Sequence, residues 1–233
     1  MLYDFHSHIL PSVDDGSDSV EQSLKMLDIL RDSGVDTVVA TPHFYYSKIA
    51  LDNFLTARDE AYDKLKEAME GKEYPRILKG AEVLLTTDIP NMKDLESLCI
   101  ENTSYILIEL PYSYWSDWVY RALNDISLRG LKPIIAHIDR YTDASDRCIQ
   151  RIFYLNCIIQ LNVDSLTKLK TRRRALKYIK RGEIHILGSD THDDLHRPPK
   201  FIEAMEILKK KFGTDIETMF EGNSLFVLND EGY

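Results

Sequence analysis

Five of the seven histidines stand in short motifs that bring imidazole and carboxylate groups together. The motifs are His6-Ser7-His8, Thr41-Pro42-His43, Ala136-His137 and Asp190-Thr191-His192. An i, i+2 spacing turns both side chains to one face of an extended strand, which pairs His6 with His8 and Asp190 with His192. Imidazole and carboxylate ligands without thiolate suit Mn, Fe, Zn or Co ions. The spacing therefore predicts metal binding.

Further acids follow other apolar runs and enlarge the candidate ligand set. Glu82 ends Lys79-Gly80-Ala81-Glu82, and Glu109 ends Leu107-Ile108-Glu109. Asp14-Asp15-Gly16 has the composition of a turn, but one of these acids, close behind His-x-His, is a further candidate ligand. Eight or more ligands exceed the need of one tetrahedral ion, so we expect two or three ions with a bridging carboxylate.

Apolar, β-branched runs alternate with amphipathic helical patterns along the chain. Predicted strands are Leu2–His8, Val35–Thr41, Arg76–Leu84, Ser104–Leu110, Lys132–His137, Cys157–Asn162 and Ile184–Ser189, with Leu225–Asn229 as a weaker last one. Helices are predicted from Asp18 (with Glu21 completing a capping box) to before Gly34, and over Asp52–Glu70, Asp117–Arg129, Ala144–Leu155, Leu166–Arg181 and Lys200–Phe212.

This alternation predicts an α/β fold with a parallel sheet, and about seven units favour a barrel over an open sheet. In either arrangement, reactive groups gather at the carboxyl ends of the strands. The candidate ligands fall there, whereas independent structural histidines would scatter over both ends. His185 and His196 are interpreted as having structural roles.

Composition excludes several classes of function. The 233 residues carry a net charge of −9, the opposite of the balance expected for a nucleic-acid-binding surface. Three cysteines without a C-x-x-C indicate a reducing cytoplasm, and neither a membrane-spanning run nor a signal peptide is evident. One domain over residues 1–233 is expected. The basic run Lys168–Lys180 is predicted to be the solvated face of a helix.

The motifs together resemble one family over residues 3 to about 200. They are His6-Ser7-His8 through Asp15-Gly16, Ala40-Thr41-Pro42-His43, Gly80-Ala81-Glu82, Glu109, Ile135-Ala136-His137-Ile138-Asp139-Arg140-Tyr141, and Ser189-Asp190-Thr191-His192 through Arg197-Pro198-Pro199. The family is the bacterial PHP-superfamily protein-tyrosine phosphatases of capsule and exopolysaccharide loci. The resemblance implies a distorted (β/α)7 barrel with three divalent ions, commonly Mn²⁺. It also implies a substrate, the phosphorylated tyrosine-rich tail of a partner bacterial tyrosine kinase. The protein would then be cytoplasmic, with recruitment to the inner membrane face by that partner.

The resemblance also assigns residues. It implies one ion held by His6, His8, Glu82 and Asp190, a second by bridging Glu82, Glu109 and His137, and a third by Asp15, His43 and His192. Asp15 is implied rather than Asp14, because the family's ligand directly precedes the glycine. Arg140 and Arg197 match the family's phosphate-binding arginines, although a surface ion pair is the commoner role of an arginine.

Physical chemistry agrees with a metal-dependent phosphatase. Divalent ions lower the pKa of bound water towards about 7, and arginine contacts the phosphoryl oxygens with two donors. A thiolate mechanism is excluded because the residues six positions after the cysteines are Tyr105, Tyr154 and Val163, not arginine. No general acid is evident beyond the candidate Asp139.

Aromatic residues crowd two rim loops. They are Phe44, Tyr45, Tyr46, Tyr112, Tyr114, Trp115 and Trp118. They either pack the loops on the barrel or form a slot for a phenyl ring.

Three alternatives remain open. A histidinol-phosphate or other small-molecule phosphatase would share the metals. A metal-dependent amidohydrolase would leave Asp15, His43, Glu82 and Glu109 unexplained. A non-catalytic metal-holding barrel would not require so complete a ligand set.

Overall fold

The computed structural model describes residues 1–112 and 115–232. Within them the strands are β1 (Leu2–Ser7), β2 (Val35–Ala40), β3 (His43–Phe44), β4 (Arg76–Lys79), β5 (Glu82–Leu84), β6 (Tyr105–Glu109), β7 (Lys132–Ile135), β8 (Ile158–Asn162) and β9 (Ile186–Gly188). The α-helices are α1 (Val20–Asp32), α2 (Leu51–Ala68), α3 (Asp117–Leu128), α4 (Asp146–Phe153), α5 (Asp164–Thr167), α6 (Leu169–Lys180), α7 (Phe201–Phe212) and α8 (Asp215–Leu228). Three short 3₁₀ helices lie at Ile89–Asn91, Leu95–Leu98 and Ile138–Arg140.

The strands form a curled, wholly parallel sheet with seven strand positions. Its two parts run in the orders β1-β2-β4 and β3-β5-β6-β7-β8-β9. β2 leads into β3 across Pro42, which has no N–H to continue the ladder, and β4 leads into β5 across Gly80. The first and last positions meet where Asp190 N donates to His6 O at 2.7 Å and His8 N donates to Thr191 O at 2.9 Å. The predicted α/β fold, a distorted seven-position barrel, is confirmed.

Two hydrophobic clusters stabilise this arrangement. The inner one joins alternate residues of strands all around the sheet, such as Tyr105 and Leu107 of β6 and Ile134 of β7. The outer one packs α1, α2, α3 and α7 against the other face of the sheet. Both faces are covered by apolar contacts, and the polar candidate ligands lie at the carboxyl-terminal rim.

The predicted strand Leu225–Asn229 is wrong. Residues 225–228 continue α8 and Asn229 is its C-cap; Val227 is fully buried in the inner cluster, while Phe226 packs against that cluster. An apolar run of four residues cannot distinguish a strand from a buried helical turn, and here the packing decides.

Smaller corrections concern element ends. The predicted strand Arg76–Leu84 is divided into β4 and β5, and the predicted helix Leu166–Arg181 is divided into α5 and α6 at Lys168. The predicted cap at Asp18 is also wrong by one residue. Ser19 is the N-cap and its Oγ accepts from Gln22 N, while Gln22 Oε1 accepts from Asp18 N at 2.7 Å.

In the part of the chain that the structure describes, no helix is long and apolar enough to cross a bilayer.

Candidate metal centre

The nine predicted metal ligands meet at the carboxyl-terminal rim of the barrel. Six of them lie at or shortly after the carboxyl ends of β1, β6, β7 and β9. His43 and Glu82 begin the short strands β3 and β5, which follow β2 and β4, and Asp15 comes from the loop after β1. All are buried except His43, which is partly buried, and Asp15, whose side chain is 69% exposed. Seven separate segments of chain therefore contribute to one cluster.

Glu82 lies at the centre of the cluster. Its Oε2 is 3.1 Å from His6 Nε2, 3.3 Å from His8 Nε2 and 2.9 Å from His43 Nδ1. Its Oε1 is 2.8 Å from His137 Nε2. A carboxylate that faces four imidazole nitrogens with both oxygens has the placement of a bridging ligand.

The ligand atoms form four overlapping groups in which all atoms lie within 4.8 Å of one another. The groups are His8, Asp15, His43 and His192; His6, His8 and Asp190; His6, Glu82 and His137; and His43, Glu82 and Glu109. They overlap with the three ligand sets inferred from the sequence, but His8 also joins the Asp15 group, and His43 joins the Glu82 and Glu109 group.

The donor set fits divalent cations on two observations. His6 Nε2 and His8 Nε2 face each other at 3.2 Å, and at most one proton can lie between two such lone pairs. Glu82 Oε2 and His43 Nδ1 are both buried, and although they lie 2.9 Å apart, neither forms a hydrogen bond of good geometry with any residue that the structure describes. Buried polar atoms without partners are rare, and divalent cations bound among these ligands would satisfy them.

The carboxylates around the imidazoles of the cluster favour the presence of positive charge among the candidate ligands. Burial would lower the pKa of His8, but the carboxylate of Asp14 outweighs it and raises that pKa to about 10. Burial would raise the pKa of Glu82, yet the charge of His6 and the hydrogen bond from His137 hold it well below the usual range. Burial, with the adjacent His8, lowers the pKa of His192 to about 3 and leaves its lone pair free at neutral pH. A cation is the natural occupant of such a field.

Asp14 and Asp15 have different positions, which residue spacing alone could not distinguish and for which the family resemblance implied Asp15 as the ligand. Asp14 Oδ2 accepts from His8 Nδ1 at 2.6 Å and from His43 N at 2.9 Å, so it orients His8 with Nε2 towards Glu82. Asp15 Oδ1 lies 3.4 Å from His43 Nε2 and 3.6 Å from His192 Nε2. Asp15 therefore faces the cluster directly, whereas Asp14 orients the ligand His8 through a hydrogen bond to its other ring nitrogen.

Two supporting residues on β8 were not identified from the sequence. Gln160 Oε1 accepts from His137 N at 2.6 Å and lies 3.3 Å from His6 Nδ1. Gln160 Nε2 donates to Asn162 Oδ1 at 2.9 Å, and Asn162 Nδ2 donates to Asp190 Oδ2 at 2.8 Å. β8 supplies none of the nine candidate ligands but fixes ligands of three other strand positions. Its polar i, i+2 pair at the end of an apolar strand was the available signal.

Asp190 and His137 adopt left-handed backbone conformations, with φ of 54° and 32°. The turn at Asp190 is held by buried Asp4, whose carboxylate accepts from Ser189 N at 2.8 Å and from Ser189 Oγ at 2.5 Å. Burial raises the pKa of Asp4 to about 6. Non-glycine residues in this region of φ mark positions that the surrounding structure over-determines, as at functional sites.

Arg140 and Arg197 converge on buried Asp190 instead of pairing with exposed acids. Arg140 Nη2 contacts Asp190 Oδ2, and Arg197 Nη2 donates to Asp190 Oδ1 at 3.1 Å. Both guanidinium groups line a cavity of about 330 Å³ beside the ligand cluster. Asp139 also lines this cavity, and burial raises the pKa of its carboxyl.

The aromatic rim residues divide between packing and exposure. Trp115 is buried, with its ring 4.9 Å from that of Tyr141, and Phe44 packs 5.0 Å from Phe54. Tyr112 is 59% exposed, and its hydroxyl accepts from Arg140 Nη1 at 3.4 Å. The remaining rim residues are Tyr45, which stacks on His43 at 5.1 Å, exposed Tyr46, partly buried Trp118, and Tyr114, which lies outside the described residues.

This chain matches one family model and is similar to several named phosphatases. The sequence profile of the family described as capsular polysaccharide synthesis, CpsB/CapC, matches residues 2–229. The tyrosine-protein phosphatase CpsB of Streptococcus agalactiae serotype III is 28% identical over 98% of this chain and 96% of its own. The tyrosine-protein phosphatase YwqE of Bacillus subtilis is 26% identical over 99% of this chain and 92% of its own. A chain from the crystal structures of YwqE and Streptococcus pneumoniae CpsB, described as unique metal-dependent tyrosine phosphatases, superposes with a TM-score of 0.86. It is 26% identical, and the superposition covers 99% of this chain and 95% of that one.

Proposed function

Because the chain belongs to the CpsB/CapC family of capsular polysaccharide synthesis, we propose that it is a metal-dependent protein-tyrosine phosphatase. The observation that supports this function best is the buried cluster around Glu82, beside two arginines at a cavity. Hydrolysis of a phosphomonoester needs both a source of nucleophile and cationic groups that bind the phosphoryl oxygens.

We propose that all nine candidate ligands hold metal and that Glu82 bridges. The ligands are His6, His8, Asp15, His43, Glu82, Glu109, His137, Asp190 and His192. We propose three ions, with Mn²⁺ as the native metal over Fe, Zn or Co, and residues 1–233 acting as one domain. Bound divalent ions would supply a water of lowered pKa as nucleophile and would neutralise charge on the phosphoryl oxygens.

The protein's own residues position the phosphoryl group and the ligands. Arg140 and Arg197 present planar donor pairs from the cavity side, where they would bind the equatorial oxygens. Asp14, Gln160 and Asn162 fix the orientation of their ligand neighbours before substrate arrives, so no reorganisation is needed during reaction.

The leaving group explains why tyrosine phosphate is the substrate class. A phenolate has a pKa of about 10 and leaves far more readily than an aliphatic alkoxide, so a strong general acid is not needed. We propose that the phosphotyrosine belongs to a cognate bacterial tyrosine kinase. The action would be cytoplasmic, with recruitment to the inner membrane face by that partner. The names of the relatives support phosphotyrosine as the substrate group, and the family description supports a role in capsular polysaccharide synthesis.

The test compares kcat/KM on phosphotyrosine peptides, phosphoserine peptides and histidinol phosphate under one Mn²⁺ condition. We expect phosphotyrosine peptides to be hydrolysed fastest, chelation to abolish hydrolysis and Mn²⁺ to restore it. Glu82→Gln should lose activity together with more than one bound ion. Full activity of chelated enzyme would overturn the metal mechanism, and faster turnover of histidinol phosphate would overturn the tyrosine assignment alone.

A further inference from the structure

The cavity beside Asp190 extends beyond what a phosphoryl group requires. At about 330 Å³ it has room for on the order of ten waters. Its lining includes Arg140, Arg197 and Asp190, and it also includes Lys168, Thr171 and Lys200. The proposed function uses only the first three of these residues.

The two lysines of the cavity lining carry an excess of positive charge. Lys200 Nζ lies 3.1 Å from Asp164 Oδ1, and Lys168 Nζ pairs with Asp164 Oδ2. Two ammonium groups therefore share one carboxylate, which leaves one positive charge and several N–H donors unmatched. Asp139 also belongs to the cavity lining, but it is buried and its carboxylate accepts from Asn162 N.

The start of α6 extends this cationic surface. Residues 165–182 contain eight of the 29 basic residues and no acid, in a chain whose net charge is −9. Lys170 and Arg173 are exposed, and within residues 1–112 and 115–232 neither forms an ion pair. Arg172 and Arg174 differ, because they donate to backbone carbonyls and so have structural roles.

We propose that Lys168 and Lys200, extended by the first turn of α6, form a subsite for an acidic side chain within about three residues of the substrate phosphotyrosine. This inference rests on the proposed function. The arginines proposed to bind phosphate line the same cavity as these lysines. A peptide whose phosphate contacts the arginines therefore has a route out of the cavity past Lys168 and Lys200. Asp164 holds both ammonium groups at the cavity wall, so a substrate carboxylate meets them already placed.

A peptide fits this surface better than an anionic membrane does. The two lysines line a concave cavity, whereas a lipid surface needs a face from which several cations project together. Lys177, farther along α6, is the matched control, because it is exposed on the same helix but does not line the cavity. At 1.5 Å per residue it lies about 14 Å along the helix from Lys168, beyond a Debye length at physiological salt.

The experiment measures kcat/KM with Mn²⁺ on paired phosphotyrosine peptides that differ only by Glu or Gln near the phosphotyrosine, on either side in turn. The wild-type protein should prefer the Glu peptide by about 2- to 5-fold per acidic residue, the range of exposed ion pairs, and this preference should shrink as salt rises. In Lys168→Gln/Lys200→Gln the ratio should fall to one or below. Lys177→Gln should keep the wild-type ratio. A ratio within one variant is insensitive to partial misfolding, and charge reversal by Lys200→Glu should favour the Gln peptide.

Each other result has a separate meaning. Equal hydrolysis of both peptides by the wild type, an unchanged ratio in the double variant, or equal loss in Lys177→Gln would overturn the subsite while leaving the phosphatase intact. A double variant that loses binding to anionic vesicles but keeps its peptide ratio would assign these lysines to a membrane. Hydrolysis of neither peptide would overturn the proposed function, and the subsite with it.

Discussion

Asp190 joins the proposed metal and phosphate sites within one residue. Its carboxylate accepts a hydrogen bond from Asn162 Nδ2 and forms ion pairs with both arginines. Its Oδ1 lies 3.8 Å from His6 Nε2. Burial would raise its pKa, but the charges of His6 and Arg140 lower it, so this residue remains ionised. A substrate phosphate that binds the two arginines would compete with Asp190 for their donors. The arginines are therefore held beside the ligands until substrate offers a second set of acceptors.

Loss of either arginine should reduce kcat/KM for phosphotyrosine by about 10- to 100-fold, because hydrogen bonds to charged groups contribute about 1.5–3 kcal/mol. The variants are Arg140→Ala and Arg197→Ala. Arg197→Lys should recover part of the loss, since it keeps the charge but not the planar donor pair. Metal content measured in parallel should equal that of the wild type. Unaltered kinetics in both alanine variants would assign the arginines to ion pairs with Asp190 alone.

At the scale of elements, β8 and β9 show that close packing sets the ligand geometry. A Cβ at Gly188 would lie 2.6 Å from Gln160 Nε2 and 2.7 Å from His6 Cβ. The absence of that side chain allows Gln160 to reach across β9 towards His6, while its Oε1 also accepts from His137 N beside the neighbouring strand β7. Position 188 of β9 therefore requires glycine because of these close contacts, in addition to the apolar residues that the strand needs for packing.

Gly188→Ala should destabilise the protein by about 1–3 kcal/mol, as overpacking does, and should weaken metal binding by about 10- to 100-fold because Gln160 and His6 must both shift. Denaturant unfolding and metal titration check the two effects. Gly222→Ala in α8 is the matched control, since a Cβ there meets nothing within 4 Å. It should leave metal binding unchanged and increase stability by up to about 1 kcal/mol. Normal metal affinity in Gly188→Ala would contradict the packing argument.

At the scale of the whole molecule, the ligand cluster ties together strand positions that are far apart in sequence. His6 and His137 are 131 positions apart, yet both contact Glu82. The free energy of metal binding therefore adds to the stability of the folded barrel.

Metal should raise the thermal midpoint of unfolding. One ion at 100 times its Kd contributes about 2.7 kcal/mol, and each kcal/mol shifts Tm by about 2–4 °C for a chain of this size. The measurement compares chelated protein with protein in Mn²⁺. Glu82→Gln, which removes the central carboxylate, should lose most of the shift. An equal Tm of the wild-type protein with and without metal would contradict the coupling between metal binding and the stability of the fold.

His185 should make stability depend on pH at a place remote from the nine candidate ligands. Its Nδ1 accepts from Ile159 N at 2.9 Å, which requires the neutral ring, and burial lowers its pKa. The unfolded state, with a pKa near 6.5, therefore binds the proton better, and this contribution to stability is lost as pH falls below about 6.5. His185→Asn offers an acceptor without titrating. The difference in unfolding free energy between wild type and variant should thus shrink from pH 7.5 to pH 5. A difference constant with pH would mean that His185 titrates alike in both states.

Much of the site followed from the sequence for two physical reasons. The two-residue period of a strand sets which side chains share a face, as for His6 with His8. Parallel strands place their carboxyl ends at one rim, so a ligand-type residue at the end of a strand predicts the cluster without any knowledge of distances.

The tertiary structure alone decided the rest. Local spacing could not show that Asp14 turns to His8 Nδ1 while Asp15 faces His43, because both acids share one turn. Nor could it show that Gln160 lies against His6, 154 positions away, or that Lys168 and Lys200 meet at Asp164. These contacts depend on the order of strands around the barrel and on the contact distance at Gly188. A strand pattern determines the direction in which a side chain points, but only the closed sheet determines what it meets there.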